Sequence, residues 1–159
     1  MALNQASLAS AFKDTFASLP SSASNAASSL AANYYTFASA GMFGSSVPGL
    51  TTAKRDAMAS TLLAAIATPT SGAAATFAAA WATALTTFWV GVPVTGAQAG
   101  ATVGCPGAAS LSPTLTTLFA NTANTATSCG QGLAAALYTA TMTVTAAVAP
   151  PPGTVLPIT

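Results

Sequence analysis

Residues Ala73 to Gly91 read AAATFAAAWATALTTFWVG. Phe77, Trp81, Leu85 and Phe88 fall at i, i+4, i+8 and i+11, and Trp89 widens the stripe. The large apolar side chains therefore share one face of a 3.6-residue period, while Ala and Thr fill the others. Gly91 and Pro93 end the pattern. The spacing predicts a helix over 72–90 whose aromatic stripe is core or a subunit interface.

Working outward, similar signals recur. Residues 52–67 carry Met58, Leu62 and Ile66 on one side, with Thr51 as cap, and Thr68-Pro69 ends the segment because the residue before Pro disfavours the helical region. Over 22–40, Ala23, Ala27, Leu30, Tyr34 and Phe37 share a face; Ser21 or Ser22 suits the N-cap and Gly41 the C′ position. Residues 5–19 place Leu8, Phe12, Phe16 and Leu19 in a stripe that Pro20 stops. The stretch 41–49 (GMFGSSVPG) is a loop by composition. On the far side, 92–111 reads as a long loop in which Val92, Val94 and Val103 suit a strand. Leu111-Ser112-Pro113 starts a short helix to about Asn121, with Ser112 as cap and Pro113 at the first helical position. Segment 131–148 is two-valued. Leu133, Leu137 and Tyr138 have helical spacing, but Thr139, Thr141, Thr143 and Thr145 then alternate with Ala140, Met142, Val144 and Ala146 as in a strand. The Ala-rich stretches 134–136 and 146–149 tip the reading to helix.

The fold class that follows is mainly α: a compact bundle of five to six short Ala-rich helices with long Gly/Pro/Thr loops, and room for a small β element near 92–103 or 139–145. Residues 1–149 are expected to form one helical domain. Residues 150–159 are expected to be an extended Pro-rich arm that reaches onto an adjacent chain.

The charge count excludes more than the helices establish. Charged residues make up 3 % of the chain, against about 25 % in ordinary soluble domains. The five are Lys13, Asp14, Lys54, Arg55 and Asp56; there is no His and no Glu. General acid–base work needs a tuned group and a partner. Asp14 and Asp56 each sit beside a basic residue and read as solvated helix charges. The Ser, Thr and Cys residues have no His to activate them. No catalytic, cofactor-binding or metal-ligating residues are therefore expected, and the chain reads as non-enzymatic. Too few basic residues are present to hold phosphates, so nucleic acid is not an expected partner. A net charge of +1 gives little colloidal repulsion and favours association.

Cys105 and Cys129 both lie beside glycines, in GCPG and SCG. A disulfide between them would close a loop of about 25 residues and restrict the unfolded chain by ~3.5 kcal/mol; two free, buried thiols are the alternative. Residues 73–95 carry no charge over a length able to span a bilayer, although five Thr and no closely flanking Lys or Arg make it a poor span. The opening MALNQASLASAF lacks the basic and long apolar regions of a secretory signal.

Ala-rich amphipathic helices are joined here by the loops TPTSG (68–72), GVPVTGAQAG (91–100) and APPPGTVLPIT (149–159). Together with Thr51–Ala67 and Ala73–Gly100, this pattern resembles the small structural proteins of tailed bacteriophages and phage-derived particles. The resemblance implies a virion component, in tail, baseplate or capsid, assembled in the host cytoplasm and found in the virion or extracellular particle. It transfers no site residues. The expected function is thus a non-enzymatic subunit of a large assembly. Its partners would be other structural proteins of the particle and copies of itself. The interface candidates are Trp81, Phe88, Trp89, Pro150, Pro151, Pro152, Val155, Leu156 and Ile158. A small membrane protein spanning near 73–95 and a soluble helical binding module are the alternatives.

Overall fold

The computed structural model describes residues 3–18, 20–67, 72–96, 101–147 and 155–159. Six helices dominate: α1 (Gln5–Ala17), α2 (Ala23–Ala38), α3 (Thr52–Ala67), α4 (Ala73–Trp89), α5 (Leu111–Ala120) and α6 (Ala126–Thr141). Five short strands accompany them: β1 (Val47–Pro48), β2 (Val94–Thr95), β3 (Thr102–Gly104), β4 (Thr145–Ala147) and β5 (Val155–Pro157). A 3₁₀ turn, Pro106–Ser110, leads directly into α5. The architecture is the mainly α one that the periodicity predicts.

Uncharged caps set the helix starts. Asn4 Oδ1 accepts from the Ser7 N–H at 3.0 Å to open α1, and Ser22 Oγ accepts from the Asn25 N–H at 3.1 Å to open α2. Helix α4 begins after Gly72, whose φ of 93° suits a residue without Cβ. At its other end Lys54, from α3, donates to the carbonyls of Thr87 and Val90. A cation there meets the negative end of the helix and binds carbonyls that have no partner within it.

Helix α4 is the hub. It buries Ala78, Trp81, Ala84, Leu85, Phe88 and Trp89, and packs most extensively against α3 and α5. Helix α2 lies on α3, and α1 lies on α6. The α1–α6 crossing is close because α6 carries a glycine there: a Cβ on Gly130 would stand 2.6 Å from the Lys13 backbone nitrogen. The core gathers Phe12, Tyr34, Phe43, Met58, Leu62, Leu115, Leu133 and Leu137 around the two tryptophans.

Three sequence expectations change. The stretch 131–148 is not one helix. Helix α6 starts five residues earlier than expected and stops at Thr141, and the strand reading holds for β4 alone. Its start is a capping box in which Thr125 Oγ1 accepts from the Ser128 N–H (3.2 Å) and Ser128 Oγ accepts from the Thr125 N–H (2.9 Å). Second, Ser112 does not cap α5. The helix continues from the 3₁₀ turn, and Ser110 occupies the N-cap without a side-chain bond to the helix. Third, within 92–111 the strand expectation holds at Val94 (β2) and Val103 (β3) but not at Val92, and Pro106–Ser110 is a 3₁₀ turn where loop was expected; residues 97–100 lie outside the described residues.

The strands form two antiparallel groups. β1 pairs with β2, Val47 opposite Thr95. A three-stranded sheet has the order β3-β4-β5. The chain end therefore returns to its own fold over 155–159, in place of the arm onto a neighbour expected there; residues 150–154 lie outside the described residues. Thr159 and Met42 exchange two backbone hydrogen bonds, and Ile158 is fully buried. Gly41, read as a helix terminator, serves a packing role: a Cβ on it would run into the Ile158 side chain.

Candidate functional site

The residues proposed to meet partners divide sharply. Trp81, Phe88 and Trp89 are at most 1 % exposed, so they belong to this chain's own core and offer nothing to a neighbour. Ile158 is buried likewise, and Leu156 is half-buried. Val155 is 58 % exposed. Pro150, Pro151 and Pro152 lie outside the described residues.

Inside the core, the structure assembles a hydrogen-bond relay that sequence reading missed. Trp89 Nε1 donates to the Tyr34 hydroxyl at 2.8 Å. Tyr34 Oη stands 2.8 Å from Thr141 Oγ1, which itself donates to the Leu137 carbonyl at 2.7 Å. The Thr141 proton is thus committed, so Tyr34 donates to Thr141 and accepts from Trp89. The relay joins α4, α2 and α6, and all its hydroxyls are satisfied. Burial raises the Tyr34 pKa far above that of an ordinary phenol. The group is a structural tie and stays protonated. Thr141 was visible only as one member of a Thr alternation, because its partner lies 107 residues away.

The cysteines are free thiols, not the disulfide allowed by their spacing. Cys105 is buried against the C-terminal end of α6, 3.5 Å from the Ala140 carbonyl. Cys129 sits in the first turns of the same helix. Eleven helical residues separate Ala140 from Cys129, about 16 Å along the axis at 1.5 Å per residue, well beyond what a disulfide can span. Burial pushes the Cys105 thiol up to about 11 and raises Cys129 as well. Neither is a thiolate at neutral pH, so neither is set up as a nucleophile.

Three of the five charges are spent on structure. Arg55 Nε and Nη2 both reach Asp56 Oδ1, at 2.9 and 2.7 Å. Lys54 caps α4. Lys13 and Asp14 lie exposed on α1. No group of three metal-ligating side chains occurs among the described residues.

The outer faces of the helices have a distinctive chemistry. Thr76, Thr86, Thr87, Thr114 and Thr117 are exposed and Thr61 is half-buried, yet each donates its hydroxyl proton to the carbonyl four residues earlier. What such a residue shows outward is a methyl group and an oxygen whose donor is already used. Between them lie shallow grooves. One of them, about 440 Å³, runs between α1 and α2 and is lined by Asn4, Ser7, Leu8, Ala11, Asn33, Thr36, Phe37 and Ala40. Asn33 Nδ2 donates to Ala11 O (3.1 Å) and Thr15 Oγ1 (3.0 Å), tying the two helices below it.

Among the described residues no helix is long and apolar enough to cross a membrane; α4, inside the stretch considered as a span, has 17 residues. No known protein family, no curated protein and no solved structure matches this chain.

Proposed function

We propose that this chain is a non-enzymatic structural subunit of a large protein assembly, a component of a bacteriophage virion or phage-like particle, in its tail, baseplate or capsid. One observation carries the reading: the outer helix faces are almost free of charge, and several of their threonine donors, those of Thr76, Thr86, Thr87, Thr114 and Thr117 among them, are already bonded to their own helices. Burying an ionised or unpaired polar group in an interface costs several kcal/mol, whereas a hydroxyl whose donor is already satisfied avoids most of that cost. Such faces desolvate cheaply against other proteins. They also lack the acids, bases and cations that catalysis, nucleic-acid binding or anionic lipids would require. The partners would be copies of this chain and other structural proteins of the particle, assembled in the host cytoplasm.

A second reading, a soluble helical binding module, is favoured by the α1–α2 groove, whose volume falls in the range of small-ligand sites. One experiment separates the two. The molar mass of the purified full chain is measured by light scattering after size exclusion. A defined large oligomer, or a chain recovered only when its neighbouring structural genes are co-expressed, supports the assembly. A 15.3 kDa monomer that persists at high concentration overturns it in favour of the binding module.

A further inference from the structure

The groove between α1 and α2 is walled by an internal repeat. Residues 4–11 read NQASLASA and residues 33–40 read NYYTFASA. Both fit the pattern Asn-x-x-Ser/Thr-Leu/Phe-Ala-Ser-Ala. In each copy the groove is lined by the first, fourth, fifth and eighth residues, which share one face of a helix. The two copies run in opposite directions. The chain turns back between α1 and α2, and Asn33, which opens the second copy, bonds to Ala11, which closes the first. By the same run Asn4 lies across from Ala40. The two asparagines thus stand at diagonally opposite ends, with the buried Leu8 and Phe37 as an apolar floor between them.

The two ends match in sequence and differ in chemistry. Asn33 spends both amide protons on the Ala11 carbonyl and Thr15 Oγ1, which leaves its Oδ1 as an acceptor. Asn4 does the reverse. Its Oδ1 accepts from the Ser7 N–H, which leaves its amide protons as donors. Between them, the Ser7 and Thr36 hydroxyls bond to nothing among the described residues. Thr86 and Thr87, by contrast, commit their protons to their own helix.

The groove therefore offers a donor at one end, an acceptor at the other, two hydroxyls able to do either, and no charge. Seven residues of helix separate its ends, about 10 Å at 1.5 Å per residue. An extended chain covers that distance in three residues of about 3.3 Å each. Its backbone N–H and C=O groups are free to bond, whereas a helix has already bonded its own. A charged ligand would leave water here without a counter-ion. Alanines at the two remaining corners give room for small side chains.

We propose that the α1–α2 groove binds a short, extended, uncharged peptide segment of small residues. One backbone carbonyl of that segment accepts from Asn4, and an N–H about three residues away donates to Asn33. The proposal rests on the binding-module reading, to which it adds a ligand class.

The test is calorimetric titration of the full chain with the capped tripeptide N-acetyl-Ala-Thr-Ala-amide. Saturable binding at one site per chain is expected, with none for N-acetyl-Lys-Thr-Lys-amide. Asn4→Asp keeps the helix cap and removes the amide donor. Thr36→Val removes an exposed hydroxyl and keeps the shape. Each should weaken binding roughly two- to tenfold, the range of one neutral hydrogen bond, while the helical circular dichroism stays unchanged. No saturable binding at millimolar peptide, equal binding of the charged peptide, or binding untouched by both substitutions overturns the proposal. Light scattering on the same samples separates the two possible failures. A 15.3 kDa monomer that ignores the peptide loses this ligand and keeps the module reading. A large oligomer that binds it loses the module reading and keeps the site.

Discussion

The middle of α4, around Trp81, and its C-terminal end, around Trp89, hold the fold by different means. Trp81 and Trp89 lie two turns apart on one helix, and both are fully buried. Around Trp81 the contacts are aromatic edges: Phe12 at 6.0 Å and 76°, Phe77 at 6.3 Å and 68°. Its indole N–H has no hydrogen-bond partner among the described residues. Around Trp89 the rings of Phe88 and Phe43 also stack edge-on, but the N–H is bonded into the Tyr34–Thr141 relay. The Trp81 region is thus packed by shape, and the Trp89 end is additionally fixed in direction. A buried donor left unpaired costs about 1–3 kcal/mol, so the same residue type is expected to be a net gain of different size at the two positions.

The largest effect should come from replacing each tryptophan with phenylalanine, which removes a similar volume at both. Trp89→Phe also deprives Tyr34 of its donor, whereas Trp81→Phe removes an unpaired N–H. Trp89→Phe should therefore be the more destabilising by ~1–3 kcal/mol in urea unfolding. Equal costs would mean that Trp81 is bonded in solution, and the contrast between the two regions would vanish. Next in size, Tyr34→Phe should cost ~1–3 kcal/mol by orphaning the Trp89 N–H. In a double-mutant cycle with Trp89→Phe the two costs should not add, because one bond is lost only once. Strict additivity would break the relay into unconnected contacts.

These contrasts also mark what could be read from the sequence. Large side chains at helical spacing declare themselves: α3 runs from 52 to 67 as expected, and α4 falls within one residue of its predicted ends. Their burial follows directly from the stripe. What stayed hidden depends on partners distant in the chain. Tyr34 meets Thr141, Gly130 meets the α1 backbone, and Ile158 meets Gly41. A glycine in a helix reads as a breaker until the neighbouring helix that needs the space is known. The capping box of α6 uses Ser where Glu or Gln is the usual signal, so its true start was missed. The cysteines illustrate the opposite error, since a shared loop context suggested a bond that the length of α6 forbids. As for the site, the absence of charge was legible at once, but the internal use of the threonine donors was not.

Alkaline pH should sharpen the comparison by loosening the relay end first. Cys105 and Tyr34 both have pKa values raised by burial, Cys105 to about 11. For such acids the unfolded chain loses its proton first, near pH 9 for a thiol, while the folded state keeps it. The unfolded state then binds fewer protons, so stability declines as pH rises. The contribution is complete below about pH 9 and falls progressively toward pH 11, with Tyr34 adding from about pH 10. Urea midpoints should drop across this window, and Cys105→Ala should delay the onset. A flat profile to pH 11 would mean that neither group is buried as described.

The smallest effect concerns the cap that closes the Trp89 end. Lys54 donates to two terminal carbonyls of α4 from a neighbouring helix. Lys54→Met keeps the aliphatic stem but removes the charge and the donors. The expected loss is about 0.5 kcal/mol, set by a cation at an exposed helix C-terminus and reduced by salt. Measured in low and high salt, the difference between wild type and variant should narrow as salt rises. If it does not, the lysine acts through its stem, as packing over Val90, and the cap is incidental. The Trp89 end would then be fixed by its buried relay alone. A charge-poor protein would in that case have kept one of its three cations for hydrophobic cover, an outcome that would bring α4's exposed end closer in character to the rest of its surface.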